Sequence, residues 1–262
     1  MLPILKAQGF EKILTGGSTR PWLIVVFIEH QPFPYVVKLY NKKDIDQSHS
    51  VAKDVYSSIL ATNFGLNTPK PALIEFTESF IKSLSHDIKE ELSKKDVRLK
   101  FGCEFIDGSF AYIDTLHRES LRKYDFENIY MFDNLIKNTD RKPKKSNILL
   151  KGTAAYLIDH ELTFPINEHT ISEFNDNKIV YWKENHIFYN YLKNSHINDK
   201  KEYFKDFSKK LSETDFNILD SYAKQMISYK HDNEHNFSII KNYLCLLKQN
   251  SDKFANLVRS YI

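Results

Sequence analysis

Three polar residues between residues 131 and 164 have side chains suited to phosphate chemistry: Asp140, Asn147 and Asp159. Each stands between apolar runs of the kind that form buried structure. Carboxylate and amide oxygens are ligands that Mg²⁺ prefers, and the cation shares them with phosphate oxygens. A carboxylate that does not bind the cation can instead orient an attacking hydroxyl and accept its proton. These residue types suit phosphoryl transfer, provided that the fold brings them together.

A predicted β-hairpin would position the three side chains. Residues 148–150 and 155–158 form short apolar runs around a Lys-Gly turn signal, and an apolar helical repeat precedes them. Asp140 and Asn147 would lie on the loop before the hairpin, and Asp159 would follow its second strand. The residues alone leave another interpretation open, namely a surface loop with an Asp cap followed by an ordinary hairpin.

Two segments resemble those of HipA-like serine/threonine kinases: NTDR with the asparagine that follows it, and LIDHE. They resemble phosphatidylinositol-kinase-like enzymes more distantly. The resemblance implies that Asp140 is the catalytic base and that Asn147 and Asp159 are metal ligands. Asp140 and Asn147 are seven residues apart, whereas about five is usual in protein kinases; a compact HipA-like branch is similar in having the longer loop. The implied reaction is transfer of phosphate from ATP, with Mg²⁺, to a serine or threonine of a protein.

Two features near the N-terminus provide candidate phosphate-binding groups. A turn containing Gly16, Gly17 and Ser18 lies between two predicted strands, where glycine would let backbone N–H groups approach phosphate oxygens. A hairpin with a predicted Gln-Pro-Phe-Pro turn at residues 31–34 follows. Lys38 lies in the second strand of this hairpin, where an unpaired ammonium is costly. The resemblance implies that Lys38 contacts the nucleotide phosphates; an edge-strand lysine that faces water is the alternative.

A helix and a strand complete the predicted nucleotide site. Residues 48–64 have helical periodicity, and Gly65 is a predicted C-cap. Kinases pair the strand lysine with a glutamate on this helix; the matching position is Asp54, which is shorter by one methylene. Residues 99–108 are predicted to be a strand that runs into a turn, and this segment falls where the kinase hinge is expected. The resemblance therefore implies backbone contacts with adenine from three residues: Glu104, Phe105 and Ile106.

The distribution of glycine and proline divides the chain. All seven glycines lie at or before Gly152, all eight prolines lie at or before Pro165, and the remainder has helical periodicity. Together with the resemblance, this predicts a bilobal, protein-kinase-like α+β fold. Residues 1–106 would form a small lobe with an antiparallel sheet and one main helix. Residues 107–262 would form a mostly helical lobe that carries the catalytic loop and the metal-binding hairpin.

Composition narrows the class of protein. A hydrophobic fraction of 42% with 14% aromatic residues indicates a globular chain. A net charge of +3 is too small to indicate binding to nucleic acid, so we expect no direct contact with it. Cys103 and Cys245 form no ligand or redox motif and suit reduced thiols in the cytoplasm. Because the sequence has neither a long apolar run nor a signal-peptide pattern, we expect a cytoplasmic protein without membrane contact.

Several questions stay open at this level. A nucleotide-binding pseudokinase or scaffold is one alternative function, favoured by the aspartate at position 54, and a small-molecule kinase of the same fold is another. A protein substrate is the expected partner, and pairing with an antitoxin-type protein is possible. A basic cluster in the catalytic loop either attracts acidic groups or is solvated, and its first member is alternatively a structural partner within the loop. The cluster consists of Arg141, Lys142, Lys144 and Lys145.

Overall fold

The N-terminal strands form a closed barrel in the computed structural model, which describes residues 1–15, 19–112, 121–179 and 185–262. Two helices between the third and fourth strands are α1 (Lys42–Asp46) and α2 (Ser50–Asn63). Two more, α3 (Glu78–Ser83) and α4 (His86–Ser93), precede the fifth strand. The barrel strands are β1 (Ile4–Ile13), β2 (Trp22–Ile28), β3 (Gln31–Val37), β4 (Pro71–Glu75) and β5 (Lys100–Glu104).

The barrel departs from the predicted antiparallel sheet at one strand pair. Strands follow one another in the order β1-β2-β3-β5-β4, and β4 closes the barrel by pairing with β1 in parallel, with Ile4 opposite Leu73. The other four described barrel pairs are antiparallel. A parallel neighbour requires a long connection, and the chain between β1 and β4 contains β2, β3, α1 and α2. Apolar alternation identifies strands but not their partners, so the sequence did not reveal this closure.

The turn between β2 and β3 also differs from the prediction. It is made by Glu29 and His30, which have φ angles of +50° and +66°, values typical of a two-residue hairpin turn. The predicted turn residues instead belong to β3. Pro32 and Pro34 are compatible with a strand there because β5 pairs only with residues 35–37 of β3, so their missing N–H groups face no partner strand.

The second described sheet contains the hairpin predicted after the catalytic loop. Its strands are β6 (Phe110–Ala111), β7 (Ile148–Lys151) and β8 (Ala154–Leu157), in that order. Lys151 pairs with Ala154, so the turn is at Gly152 and Thr153, one residue later than predicted. Gly152 has a φ of +60°, which glycine adopts without a steric cost. The hairpin therefore separates the end of the catalytic loop from Asp159 by two paired strands.

After β8, every described element is helical. The larger hydrophobic core is formed by these helices, the helix at residues 126–135 and the β7–β8 hairpin, together with α2, whose Val51, Val55 and Leu60 are fully buried in it. The barrel interior is a second core around Trp22. No helix in the described ranges is long and apolar enough to cross a bilayer. The remaining helices are α5 (Phe126–Leu135), α6 (Glu168–Asn175), α7 (Tyr189–Lys193), α8 (Ile197–Glu202), α9 (Lys205–Glu213), α10 (Asp220–Ser228), α11 (Glu234–Gln249) and α12 (Ser251–Arg259).

The predicted C-cap of α2 is present. Gly65 has a φ of +75°, its N–H donates to Thr62 O at 3.0 Å, and the N–H of Leu66 donates to Ala61 O at 2.9 Å. This pair of bonds is a Schellman motif, which satisfies carbonyl groups at the helix end. The cap ends α2 and directs the chain towards β4.

Barrel closure yields the first testable prediction. A Cβ atom at Gly102 would lie 2.5 Å from Ile74 Cγ1, inside the barrel core. Gly102→Ala should therefore lower the free energy of unfolding by about 1–3 kcal/mol, measured by urea denaturation, because a tightly packed core resists added volume. Gly9→Ala is the matched control, since its Cβ would meet Val25 at an ordinary 3.7 Å. Equal stability of the two variants would contradict the packing described here.

Candidate active site

The side chain of Lys38 lies among three carboxylates. The residue follows β3, and its N–H donates to Phe101 O at 3.0 Å, which extends the pairing with β5. Its Nζ is 2.7 Å from Asp54 Oδ2, 2.7 Å from Asp159 Oδ1 and 3.6 Å from Glu161 Oε2. Burial alone would lower the pKa of Lys38, but the neighbouring carboxylates raise it above its ordinary value. Lys38 is therefore charged at neutral pH.

Asp54 contacts Lys38, as the predicted lysine partner should. Its Oδ1 and Oδ2 are 2.9 and 2.7 Å from Lys38 Nζ. The carboxylate also accepts bonds from the Tyr40 hydroxyl at 2.5 Å and the His160 N–H at 2.8 Å. Burial raises the pKa of Asp54, whereas the charge of Lys38 opposes that shift. The shorter aspartate therefore suffices because α2 lies close to Lys38.

The three residues predicted to act on phosphate lie close together, and Lys145 links two of them. Lys145 Nζ is 2.5 Å from Asp140 Oδ2 and 3.2 Å from Asp159 Oδ2. Asn147 Nδ2 donates to Asp140 Oδ2 and to the Asp140 carbonyl, both at 3.2 Å. Asp140, Asn147 and Asp159 thus meet at one end of the β7–β8 hairpin. Sequence reasoning left Lys145 within a basic cluster, because its spacing alone does not distinguish a site residue from a solvated one.

The donor set at this point fits Mg²⁺. Asn147 uses its Nδ2 on Asp140, so its amide oxygen is the atom suited to a cation, and Asp159 supplies a carboxylate. Mg²⁺ usually takes one or two protein carboxylates and completes its shell with phosphates and water. Within the described residues no three histidine, cysteine or acidic side chains are grouped to hold a metal by themselves. The residues therefore suit a cation that arrives with phosphates rather than one held by a protein cage.

Backbone conformation helps to place the two predicted metal ligands. Asn147 has a φ of +50° and Asp159 a φ of +63°. Among non-glycine residues, Asn and Asp adopt this left-handed region most readily. The two residues also flank the paired strands, since Ile158 N–H donates to Asn147 O at 3.1 Å. Residue type therefore serves the local backbone as well as the chemistry of the site.

A buried ion pair supports the catalytic loop. Arg141, of which 1% is exposed, donates from Nε to Asp133 Oδ2 on α5 and from Nη1 to the carbonyls of Ser146 and Asn147. Burial by itself would raise the pKa of Asp133, but Arg141 and a neighbouring histidine lower it to about 2. Arg141 is thus a structural partner within the loop, the alternative that the sequence left open for it.

The neighbouring histidine comes from the helical part of the chain. His186 Nε2 lies 2.9 Å from Asp133 Oδ2, and the N–H of Phe188 donates to His186 Nδ1 at 3.1 Å. Because Nδ1 accepts a bond, we assign the imidazole proton to Nε2, which then donates to Asp133. Burial is the main cause that lowers the pKa of His186. A neutral histidine therefore completes the shell around Asp133.

A cavity of about 430 Å³ connects the barrel to these groups, a size typical of sites for small ligands. Lys38, Lys145, Asn147 and Asp159 line one region of it. The predicted hinge residues line another: Glu104, Phe105 and Ile106. The predicted phosphate-loop residues lie outside the described residues: Gly16, Gly17 and Ser18. Their neighbours Thr15 and Thr19 line the cavity.

Two of the three residues predicted to contact adenine already use their backbone N–H groups in hydrogen bonds within the protein. The N–H of Glu104 donates to Lys70 O and that of Phe105 to Pro34 O, both at 3.0 Å. The N–H of Ile106 has no bond to another backbone group in the described part of the chain. Of the three predicted N–H groups, this one is therefore the donor that a ligand in the cavity could use.

Comparison with known proteins shows the family of the chain. The model of a family described as HipA-like kinase matches residues 11–256. No curated protein matches the sequence. Among solved structures, the Helicobacter pylori proinflammatory kinase CtkA superposes with a TM-score of 0.51 at 12% identity, covering 99% of this chain and 98% of that one. At that identity, the structural likeness shows a shared fold and no more.

The support beneath the catalytic loop generates a second prediction. Asp133→Asn should lower the free energy of unfolding by about 3–5 kcal/mol at pH 7, because Arg141 would remain buried without its counter-ion. The folded pKa of about 2 for Asp133 lies below that of roughly 3.9 for an unfolded aspartate. The stabilisation is therefore present above about pH 4 and is lost as pH falls towards 2.

Urea denaturation of wild type and variant at several pH values measures this difference, which should shrink with acidification. Asp220→Asn is the control, because it removes a more exposed pair, 2.6 Å from Lys241 Nζ, which should contribute less than about 1 kcal/mol. A similar loss of stability in both variants would show that Asp133 does not anchor the loop.

Proposed function

Because the chain belongs to the HipA-like kinase family, we propose that it transfers the γ-phosphate of ATP, with Mg²⁺, to a serine or threonine of a protein. The observation that carries this proposal is that Asp140 meets Asn147 and Asp159 beside a cavity that these last two residues line together with Lys38. A base, two oxygen ligands and two ammonium groups in one place are the groups that phosphoryl transfer requires.

The shape of the cavity supports one orientation of the nucleotide. Adenine would lie beside residues 104–106, where the N–H of Ile106 is the available donor. The phosphates would extend towards Lys38 and Lys145, whose charges favour anionic oxygens. In this proposal residues 1–106 act as the smaller lobe and residues 107–262 as the larger one, and the nucleotide lies between them.

Catalysis would depend on positioning and charge rather than on a covalent intermediate. Asn147 and Asp159 would hold Mg²⁺, which supplies neutralisation of phosphate charge when bound. Lys38 would leave Asp159 for the phosphate oxygens while it keeps its bond to Asp54. Asp140 would orient the acceptor hydroxyl and take its proton at a carboxylate oxygen. Lys145 would balance the charge of Asp140 and face the transferred phosphate.

The contact between Asp54 and Lys38 removes the main reason for considering a pseudokinase. That reason is the aspartate at position 54, which is shorter by one methylene than the glutamate that kinases pair with the strand lysine. Asp54 in fact contacts Lys38 through both oxygens. This contact favours an active phosphotransferase over a pseudokinase.

The third prediction separates binding from transfer. Asp140→Asn should abolish transfer from radiolabelled ATP and leave nucleotide affinity within about twofold of wild type, because Asp140 acts on the acceptor hydroxyl. Asp159→Asn should instead weaken nucleotide affinity in the presence of Mg²⁺ and change it little with EDTA. Transfer by Asp140→Asn at the rate of wild type would show that this residue is not the base.

The fourth prediction concerns the acceptor. Incubation with labelled ATP and a cell lysate should place acid-stable label on a protein band in a gel, and phosphoamino-acid analysis should return phosphoserine or phosphothreonine. The same incubation with Asp140→Asn is the control for kinases in the lysate. Label that appears only in the low-molecular-weight fraction would support a small-molecule kinase and reject the protein substrate.

A further inference from the structure

A tyrosine hydroxyl joins two carboxylates beneath the nucleotide cavity. Tyr40 is 3% exposed, and its hydroxyl lies 2.5 Å from Asp54 Oδ2 and 2.8 Å from Glu161 Oε2. Tyr40 and Lys38 are two residues apart, and both side chains contact the carboxylate of Asp54. Neither Tyr40 nor Glu161 belongs to the predicted base, metal ligands or lysine pair, although both contact that site.

The bonds of Asp54 indicate what the tyrosine does. Asp54 Oδ2 accepts from Lys38 and Tyr40, and its Oδ1 accepts from Lys38 and from the N–H of His160. An aspartate side chain has two rotatable bonds, and donors on both oxygens fix its plane. If the hydroxyl were absent, Asp54 Oδ2 would keep only Lys38, the group that must bind phosphate. Tyr40 therefore holds the carboxylate independently of the lysine.

Glu161 holds the other side of the hydroxyl. It lies two residues beyond Asp159, and its Oε2 is 3.6 Å from Lys38 Nζ, too far for a good hydrogen bond. Its shorter contact is to Tyr40, at 2.8 Å. The chain of contacts Asp54–Tyr40–Glu161 thus links α2 to the segment that follows β8, independently of the contact between Lys38 and Asp159.

We propose that Tyr40 is a positioning residue, held by Glu161, that fixes Asp54 so that Lys38 stays placed for the nucleotide when it leaves Asp159. This inference rests on the proposed function, since it assumes that phosphates take the place of Asp159 on Lys38.

The test compares two buried tyrosines of similar chemistry. Tyr40→Phe should weaken binding of a fluorescent ATP analogue with Mg²⁺ by about tenfold or more, the usual effect of losing a hydrogen bond to a charged group. Tyr56→Phe is the matched control, because the Tyr56 hydroxyl donates to Asp232 at 2.7 Å and does not line the cavity. Thermal unfolding of both variants reports any general loss of stability, which should be similar.

Variants at Glu161 separate positioning from charge. Glu161→Gln should retain affinity near that of wild type, because its side-chain N–H can donate to the Tyr40 hydroxyl oxygen while the hydroxyl proton stays on Asp54. Glu161→Ala offers no such group and should resemble Tyr40→Phe. The double variant Tyr40→Phe/Glu161→Ala should bind no more weakly than the worse single variant, because both remove the same contact.

Three outcomes would overturn the inference: equal affinities of Tyr40→Phe and Tyr56→Phe, a loss in Glu161→Gln as large as in Glu161→Ala, or additive losses in the double variant. Failure of wild type to bind the ATP analogue at all would instead reject the proposed function. The two failures are therefore distinguishable in the same set of titrations.

Discussion

The structure of the site depends on keeping one ammonium group charged in a largely buried position. Lys38 can remain there only because Asp54 and Asp159 are each 2.7 Å away, since an unpaired buried charge is strongly unfavourable. These partners come from α2 and from the segment after β8, far apart in the sequence. The barrel, the capped α2 helix and the β7–β8 hairpin are therefore constrained together: a shift of any one would leave a charge unpaired.

The loop that carries Asp140 combines buried side chains that support it with a more exposed side chain that faces the site. The loop is supported from below by the fully buried pair of Arg141 and Asp133, together with a neutral His186. At its surface the side chain of Lys145 is 39% exposed while it contacts Asp140 and Asp159. Buried, fully bonded groups resist rearrangement, whereas an exposed lysine can exchange partners at little cost. This division suits a site in which the backbone stays fixed and ammonium groups move from carboxylates to phosphates.

Much of the site was recognisable from the sequence because its residues conflict with their surroundings. Lys38 interrupts an apolar strand, and Asp140, Asn147 and Asp159 interrupt apolar runs, so each is conspicuous without coordinates. The hairpin and Gly65 follow from local turn and cap chemistry. The parallel pairing of β1 with β4 was missed because pairing depends on partners distant in sequence. Glu29 and His30 lack the usual turn residues, and the prolines of β3 suggested a turn there instead.

Residue type and local turn rules were enough to predict which chemical groups are present and that Asp140, Asn147 and Asp159 lie around one hairpin. The contacts between those groups were visible only in the folded chain: Lys145 bridges two acids, Arg141 is buried on Asp133, and Tyr40 joins Asp54 to Glu161. Lysines, tyrosines and acids are common surface residues, so their type and spacing carry little information about a role. Their role follows from burial and from contacts that spacing does not predict, some of them between segments more than a hundred residues apart, such as Asp54 and His160. Local periodicity cannot encode such contacts, because they arise only when separate elements pack into one core.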